Sequence, residues 1–179
     1  MASAASSAVK WYALAVHARQ EKAAAEDLSH RGFEIFLPVR RERRAWSARV
    51  QIVELVLFPG YLFVHTELSA TTRIELLKPR QAIDVVGRLP EDPSRARSIP
   101  PHEIDSLMRV VGSERDLDPV ARLVEGDSVM VARGPLRGVH GIVERGADGQ
   151  RRLVVQVELL GRGVRVTLSG EDVIEEVTR

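Results

Sequence analysis

Between residues 40 and 49 the chain carries five arginines and one acid, in the run Arg40-Arg41-Glu42-Arg43-Arg44, with Arg49 close behind and Trp46 between them. A guanidinium pairs bidentately with phosphate and an aromatic ring stacks on a base, so these residue types at this density suit a nucleic-acid contact. The same charges would equally serve a solvated hairpin loop that keeps a sheet edge soluble. A second cluster follows at Leu55-Val-Leu-Phe-Pro-Gly-Tyr-Leu-Phe-Val64, where Phe58, Tyr61 and Phe63 are three of the eight aromatic residues. Along a strand Tyr61 and Phe63 point to one face, Leu62 and Val64 to the other. The aromatic pair therefore either lines a proline-bordered surface groove for a partner helix or lies under a second intramolecular layer. As groove residues, both could be cut back to alanine with a loss of binding and little loss of folding stability.

Other chemistry finds few residues to work with. The absence of cysteine excludes disulfides, zinc–thiolate sites, iron–sulfur clusters and a cysteine nucleophile. The five histidines, at positions 17, 30, 65, 102 and 140, are scattered. His17 and Glu21 stand four apart, as two ligands on one helix face would, but no third ligand accompanies them. No Gly-x-Ser-x-Gly elbow occurs. Gly134-Pro-Leu-Arg-Gly138-Val-His-Gly141 is glycine-rich, yet it lacks the Lys-Ser/Thr of a nucleotide loop and no helix follows to offer its N-terminus to an anion. Barrel turns account for it better. The expectation is a binding protein with no cofactor and no metal, not an enzyme.

The elements that must position these clusters are legible from pattern. In a chain of 179 residues with a formal charge of +1, any nucleic-acid contact must come from a local patch. The Ala/Ser-rich residues 1–9 read as a disordered tail and not as a secretory signal, and no apolar run is long enough to cross a membrane. Residues 10–111 alternate strand-like and helix-like segments: strand 11–16, an Ala-rich helix 18–31 stopping at Gly32, strands 33–39, 50–57 and 61–66, a short helix 71–78, strand 82–86, and a final helix. In that helix Ile104, Leu107, Met108 and Val111 share one face. The sum is an α+β sandwich, helices packed on an antiparallel sheet. Residues 112–122 are polar, contain Pro119 and lack a period, so they read as a linker. Residues 123–179 hold short β-branched runs between glycine turns, the pattern of a small five-stranded closed barrel.

The order Trp11-Tyr12-Ala-Leu, Glu21-Lys-Ala-Ala-Ala-Glu26, Phe36-Leu-Pro38, Leu57-Phe-Pro-Gly-Tyr-Leu-Phe-Val64 and Ile99-Pro-Pro-His-Glu-Ile104 resembles the N-terminal domain of NusG-like transcription elongation factors. The segment from Glu125 to Val143, with Gly134, Gly138 and Gly141, is similar to the KOW motif, an SH3-like barrel, that follows in that family. The stretch Leu77–Val86 replaces the Asn-Thr-Pro-Gly-Val-Thr-type segment of housekeeping members. Together with Trp46 downstream of Phe36-Leu-Pro38, this is closer to the RfaH-like and polysaccharide-locus paralogs dedicated to particular operons.

What the resemblance implies is a cytoplasmic, monomeric factor that bridges the cleft of RNA polymerase, suppresses pausing and acts as an antiterminator. A general housekeeping factor and a ribosome-associated KOW protein are the alternatives. Phe58, Pro59, Tyr61 and Phe63 would bind the clamp helices of the largest polymerase subunit, and Thr71 and Thr72 would reach the opposite side of the cleft. Arg40, Arg41, Arg43 and Arg44 would meet non-template DNA in the bubble. The barrel would recruit a small-subunit ribosomal protein or the termination factor Rho.

Overall fold

The computed structural model describes residues 8–46, 49–113, 115–122 and 124–177, with the side chains of Arg44, Trp46 and Pro93 outside that set. The elements run β1 (Lys10–Val16), α1 (Glu21–His30), β2 (Glu34–Phe36), β3 (Val39–Trp46), β4 (Arg49–Val56), β5 (Tyr61–Thr66), α2 (Ala70–Leu76), β6 (Ala82–Val85), β7 (Arg88–Leu89) and β8 (Asp92–Ala96). They continue through α3 (Pro101–Val111), β9 (Leu117–Val120), β10 (Asp127–Arg133), β11 (His140–Arg145), β12 (Arg151–Val157), a 3-10 turn at Glu158–Leu160, β13 (Arg162–Thr167) and β14 (Val173–Glu176). Packing divides them into two units, Met1–Leu37 with Pro59–Pro101 and Pro38–Phe58 with His102–Arg179. No helix among the described residues is long and apolar enough to cross a membrane.

The first unit is built on an antiparallel sheet in the order β2-β5-β1-β6. In β1, Tyr12, Leu14 and Val16 face the helices, and the cross-strand partners Val64 and Leu62 bring β5 into the same layer. Ala24 and Leu28 of α1 and Leu76 of α2 close it, giving one apolar core on that side. The Ala-rich segment becomes α1 because alanine loses little entropy there, and it stops where Gly32 takes a positive φ of 89°. Ser69 caps α2 by accepting the N–H of Thr72 at 3.1 Å. A small ribbon of β7 and β8, not anticipated from sequence, completes the unit.

The second unit contains the β3–β4 hairpin, α3 and a six-stranded antiparallel sheet in the order β14-β10-β11-β12-β13-β9. Five of these strands match the expected barrel. The sixth, β9, comes from residues read as linker: Leu117 and Val120 are buried and the strand pairs with β13, Val166 opposite Leu117 and Gly163 opposite Val120. Pro119 disguised it, since proline cannot donate to a ladder, but at the end of the strand order that missing donor costs nothing. Val129, Val131, Leu153, Val155, Val164 and Val166 fill the interior of the sheet. The expected strand 152–160 ends at Val157, and Gly161, with φ of 62°, turns the chain after the 3-10 turn.

Candidate functional site

The bend before β5 is held from both sides. Gly60 adopts φ of 84°, its N–H donates to Glu21 Oε1 at 2.8 Å, and its carbonyl accepts the N–H of Val16 at 2.9 Å. Glu21 is almost wholly buried, so the side chain that sequence offered as half of a metal pair with His17 is instead the acceptor that shapes this bend.

Tyr61 and Phe63 share one face of β5, opposite Leu62 and Val64, as alternation requires. On that face Phe63 stacks on Phe36 with ring centroids 6.0 Å apart, Phe36 meets Trp11 edge-on, and Trp11 stacks on His65 at 4.7 Å. His65 Nδ1 lies 2.7 Å from Glu34 Oε2. Pairing puts Trp11 opposite His65 and Phe36 opposite Phe63, which is why four aromatic rings from three strands form one layer. Exposure differs from the groove expected. Phe58 and Phe63 are both 0% exposed, Tyr61 is half-buried and Pro59 is exposed. Phe63 is therefore part of the packed interior, and the pair cannot be truncated without cost to folding. The layer opens at one end into a cleft of about 370 Å³ lined by Val9, Lys10, Trp11, His65, Ile99 and Pro100. Trp11, Phe36 and His65 escaped sequence reading, because only strand pairing brings them beside Phe63.

Thr71 is exposed at the start of α2, whereas Thr72 serves the cap, its hydroxyl 2.9 Å from Ser69 Oγ.

The arginines expected in a loop form strand β3, paired with β4 along its whole length. Alternation then splits them: Arg41 and Arg43 share one face, Arg40 the other. Arg40 is not free for phosphate. Its Nη1 donates to the Leu117 carbonyl at 2.5 Å and lies 3.7 Å from Asp118, and its other nitrogen pairs with Glu42. Arg41, 75% exposed in its side chain, is 3.3 Å from Glu54. Arg43 is exposed opposite Ile52, and Ile52 and Val50, 64% and 68% exposed, cover the same face. That face offers two guanidiniums beside an apolar shelf. The side chains of Arg44 and Trp46 lie outside the described residues.

In the C-terminal sheet the glycines of the Gly134–Gly141 segment are structural. Gly134 has φ of 102°, and a Cβ there would come within 2.6 Å of the Glu171 carbonyl oxygen. A Cβ at Gly141 would meet the Val154 carbonyl oxygen at 2.7 Å. Gly138 donates its N–H to the Val131 carbonyl at 2.7 Å, closing the turn between β10 and β11. Beside Gly134, Arg115 reaches Asp172, whose side chain has no exposed surface: Arg115 Nη1 donates to Oδ2 at 2.6 Å, as do Ser169 N and Oγ at 2.9 Å each. Burial by itself would raise the Asp172 carboxyl, but the hydrogen bonds from Arg115 and Ser169 outweigh it and hold the group below its ordinary value of 3.8.

Known proteins resemble this chain along most of its length. The family model described as "Transcription termination factor nusG" matches residues 9–108. The chain is 27% identical over 187 aligned positions to the transcription termination/antitermination protein NusG of Thermus thermophilus, across 93% of this chain and 98% of that protein. To the protein of the same name from Halalkalibacterium halodurans it is 24% identical over 142 positions, 79% of each. Among solved structures, that titled "Domain interaction in Thermotoga maritima NusG" superposes with a TM-score of 0.55 at 20% identity, covering 96% of this chain and 98% of that one, a likeness of fold.

Proposed function

Because the chain belongs to the NusG family of transcription factors, whose model spans more than half of it, we propose that it is an elongation factor that binds RNA polymerase through the Pro59–Tyr61 end of β5. The observation that carries this reading is the two-sided β5 strand: one face closes the helix-side core, while the other presents Tyr61 beside exposed Pro59, with Phe63 as the packed floor beneath them. A half-exposed aromatic seated on a rigid strand is a favourable anchor for a partner helix, here the clamp helices of the largest subunit. Binding that holds the clamp closed shifts a conformational equilibrium and suppresses pausing, with no chemistry done by the factor. Thr71, exposed at the start of α2, is the residue proposed for the opposite side of the cleft.

The proposal assigns Arg41 and Arg43 to non-template DNA in the bubble and removes Arg40, which is engaged within the fold. It treats residues 10–111 as the polymerase-binding part and 123–179 as the part that recruits a small-subunit ribosomal protein or Rho. A role dedicated to particular operons rests on Leu77–Val86 and on the pairing of Phe36-Leu37-Pro38 with Trp46 in the sequence; the relatives carry the name of the general factor. Copurification tests the core of the reading: tagged full-length protein should retain core polymerase, and Tyr61→Ala should lose it. Retention of ribosomal subunits in place of polymerase would favour the ribosome-associated alternative.

A further inference from the structure

Helix α3 meets the C-terminal sheet through polar groups. Ser106 Oγ accepts the N–H of His140 at 2.8 Å, Glu103 Oε2 accepts the N–H of Glu158 at 3.3 Å, and Arg109 Nη1 donates to the Arg137 carbonyl at 3.3 Å. The His102 and His140 rings meet edge-on at 5.7 Å. Ser106 and Glu103 are buried although polar, so the helix commits hydrogen-bonding groups to this junction.

A cleft of about 800 Å³ lies at the same junction, lined by His102, Glu103, Glu125, His140, Gln156 and Glu158 among others. The titratable groups that line this cleft with Glu103 are Glu158 from the 3-10 turn, Glu125 from the loop before β10, His140 from β11 and His102 from its own helix. Among the described residues, no lysine or arginine lines the cleft. A buried carboxylate beside the Glu158 carboxylate, without a compensating cation, disfavours its own ionised form.

We propose that the docking of α3 on the C-terminal sheet is a proton-gated latch, closed while the Glu103 carboxyl carries its proton and released when it ionises. Burial pushes Glu103 from its ordinary value of 4.5 up to about 7; the hydrogen bond from Glu158 N–H opposes this and the Glu158 carboxylate adds to it. A docked state with the raised value binds the proton that an undocked, solvated Glu103 has already lost between pH 4.5 and 7. Docking is therefore full below about pH 4.5, weakens as pH rises, and above pH 7 is weaker by up to about 300-fold, the ratio that corresponds to those two values. The dependence is steepest between pH 4.5 and 7, where each pH unit shifts the docking equilibrium by up to about 10-fold. The inference does not depend on the polymerase-binding proposal.

The test uses the full chain. Amide hydrogen exchange of His140 and Glu158, whose N–H groups donate to Ser106 and Glu103, is followed by NMR from pH 6 to 8 and corrected for the intrinsic rate. The wild type is expected to lose protection at both amides progressively, by about 10-fold across this range, while Glu103→Gln, which keeps an oxygen acceptor without a charge, holds its protection. Unchanged wild-type protection overturns the proposal. So does an equal loss in Glu103→Gln, which would assign the effect to His102 and His140. If the variant fails to fold, the carbon-13 shift of the Glu103 carboxyl in the wild type decides: a midpoint near 7 supports the latch and one at the ordinary carboxylate value overturns it.

Discussion

The Glu21 carboxylate and the Gly60 amide, 39 residues apart in sequence, meet at 2.8 Å inside the first unit and set the direction in which β5 leaves its bend. A charged acceptor on a buried N–H contributes about 1.5–3 kcal/mol, and removing it leaves that N–H unsatisfied. Glu21→Ala should therefore lower stability by about 2 kcal/mol in denaturant titration, and polymerase affinity should fall with it as Tyr61 loses its placement. Glu21→Gln, which retains an acceptor, should recover most of both. Equal losses in the two variants would mean that the carboxylate acts by bulk alone.

Tyr61 and Phe63 should separate cleanly. Truncating fully buried Phe63 to alanine opens a cavity and should cost about 3–5 kcal/mol of folding stability. Half-buried Tyr61 should lose little stability when truncated but about 2 kcal/mol or more of binding to polymerase. Thermal melts paired with binding isotherms read both. A Tyr61→Ala protein with normal affinity removes this end of β5 from the interface.

Salt dependence distinguishes the arginines. Each phosphate contact to a single strand contributes about 0.7 to the slope of log affinity against log salt, so replacing Arg41 and Arg43 with alanine should flatten it by about 1.4 on an assembled elongation complex. Arg40→Ala should leave the slope alone and weaken the hold of β9 on the hairpin, because its guanidinium serves the Leu117 carbonyl and Asp118. A slope unchanged in the Arg41/Arg43 variant would leave that face a solubility device.

Asp172 makes the C-terminal sheet sensitive to acid. Its carboxyl sits below its ordinary value in the folded protein, so it contributes stability that is fully present above pH 3.8 and is lost as pH falls through the lower, folded value. Arg115→Ala leaves a buried, uncompensated carboxylate and should cost about 3 kcal/mol at neutral pH. Asp172→Asn should remove the acid-sensitive part of the unfolding curve below pH 4. Identical acid unfolding of Asp172→Asn and wild type would place the sensitivity elsewhere.

Sequence by itself determined what depends on short-range pattern. The alternation of Tyr61 and Phe63 with Leu62 and Val64 settles which side chains share a face, whatever the partner strands turn out to be. Alanine propensity and Gly32 placed α1, and β-branched runs between glycines placed five strands of the C-terminal sheet. The order of these segments was sufficient to identify the family. Tertiary structure alone decided what depends on residues distant in sequence. Arg40 looked like its neighbours until the carbonyl of Leu117, 77 residues away, took its guanidinium. Pro119 marked a linker by every local rule, and only its position at the end of a strand order made it compatible with β9. Glu21 looked like a solvated helix residue until Gly60 gave its carboxylate a buried donor. Burial is the common reason: it is a property of what covers a residue, and neither residue type nor periodicity records that.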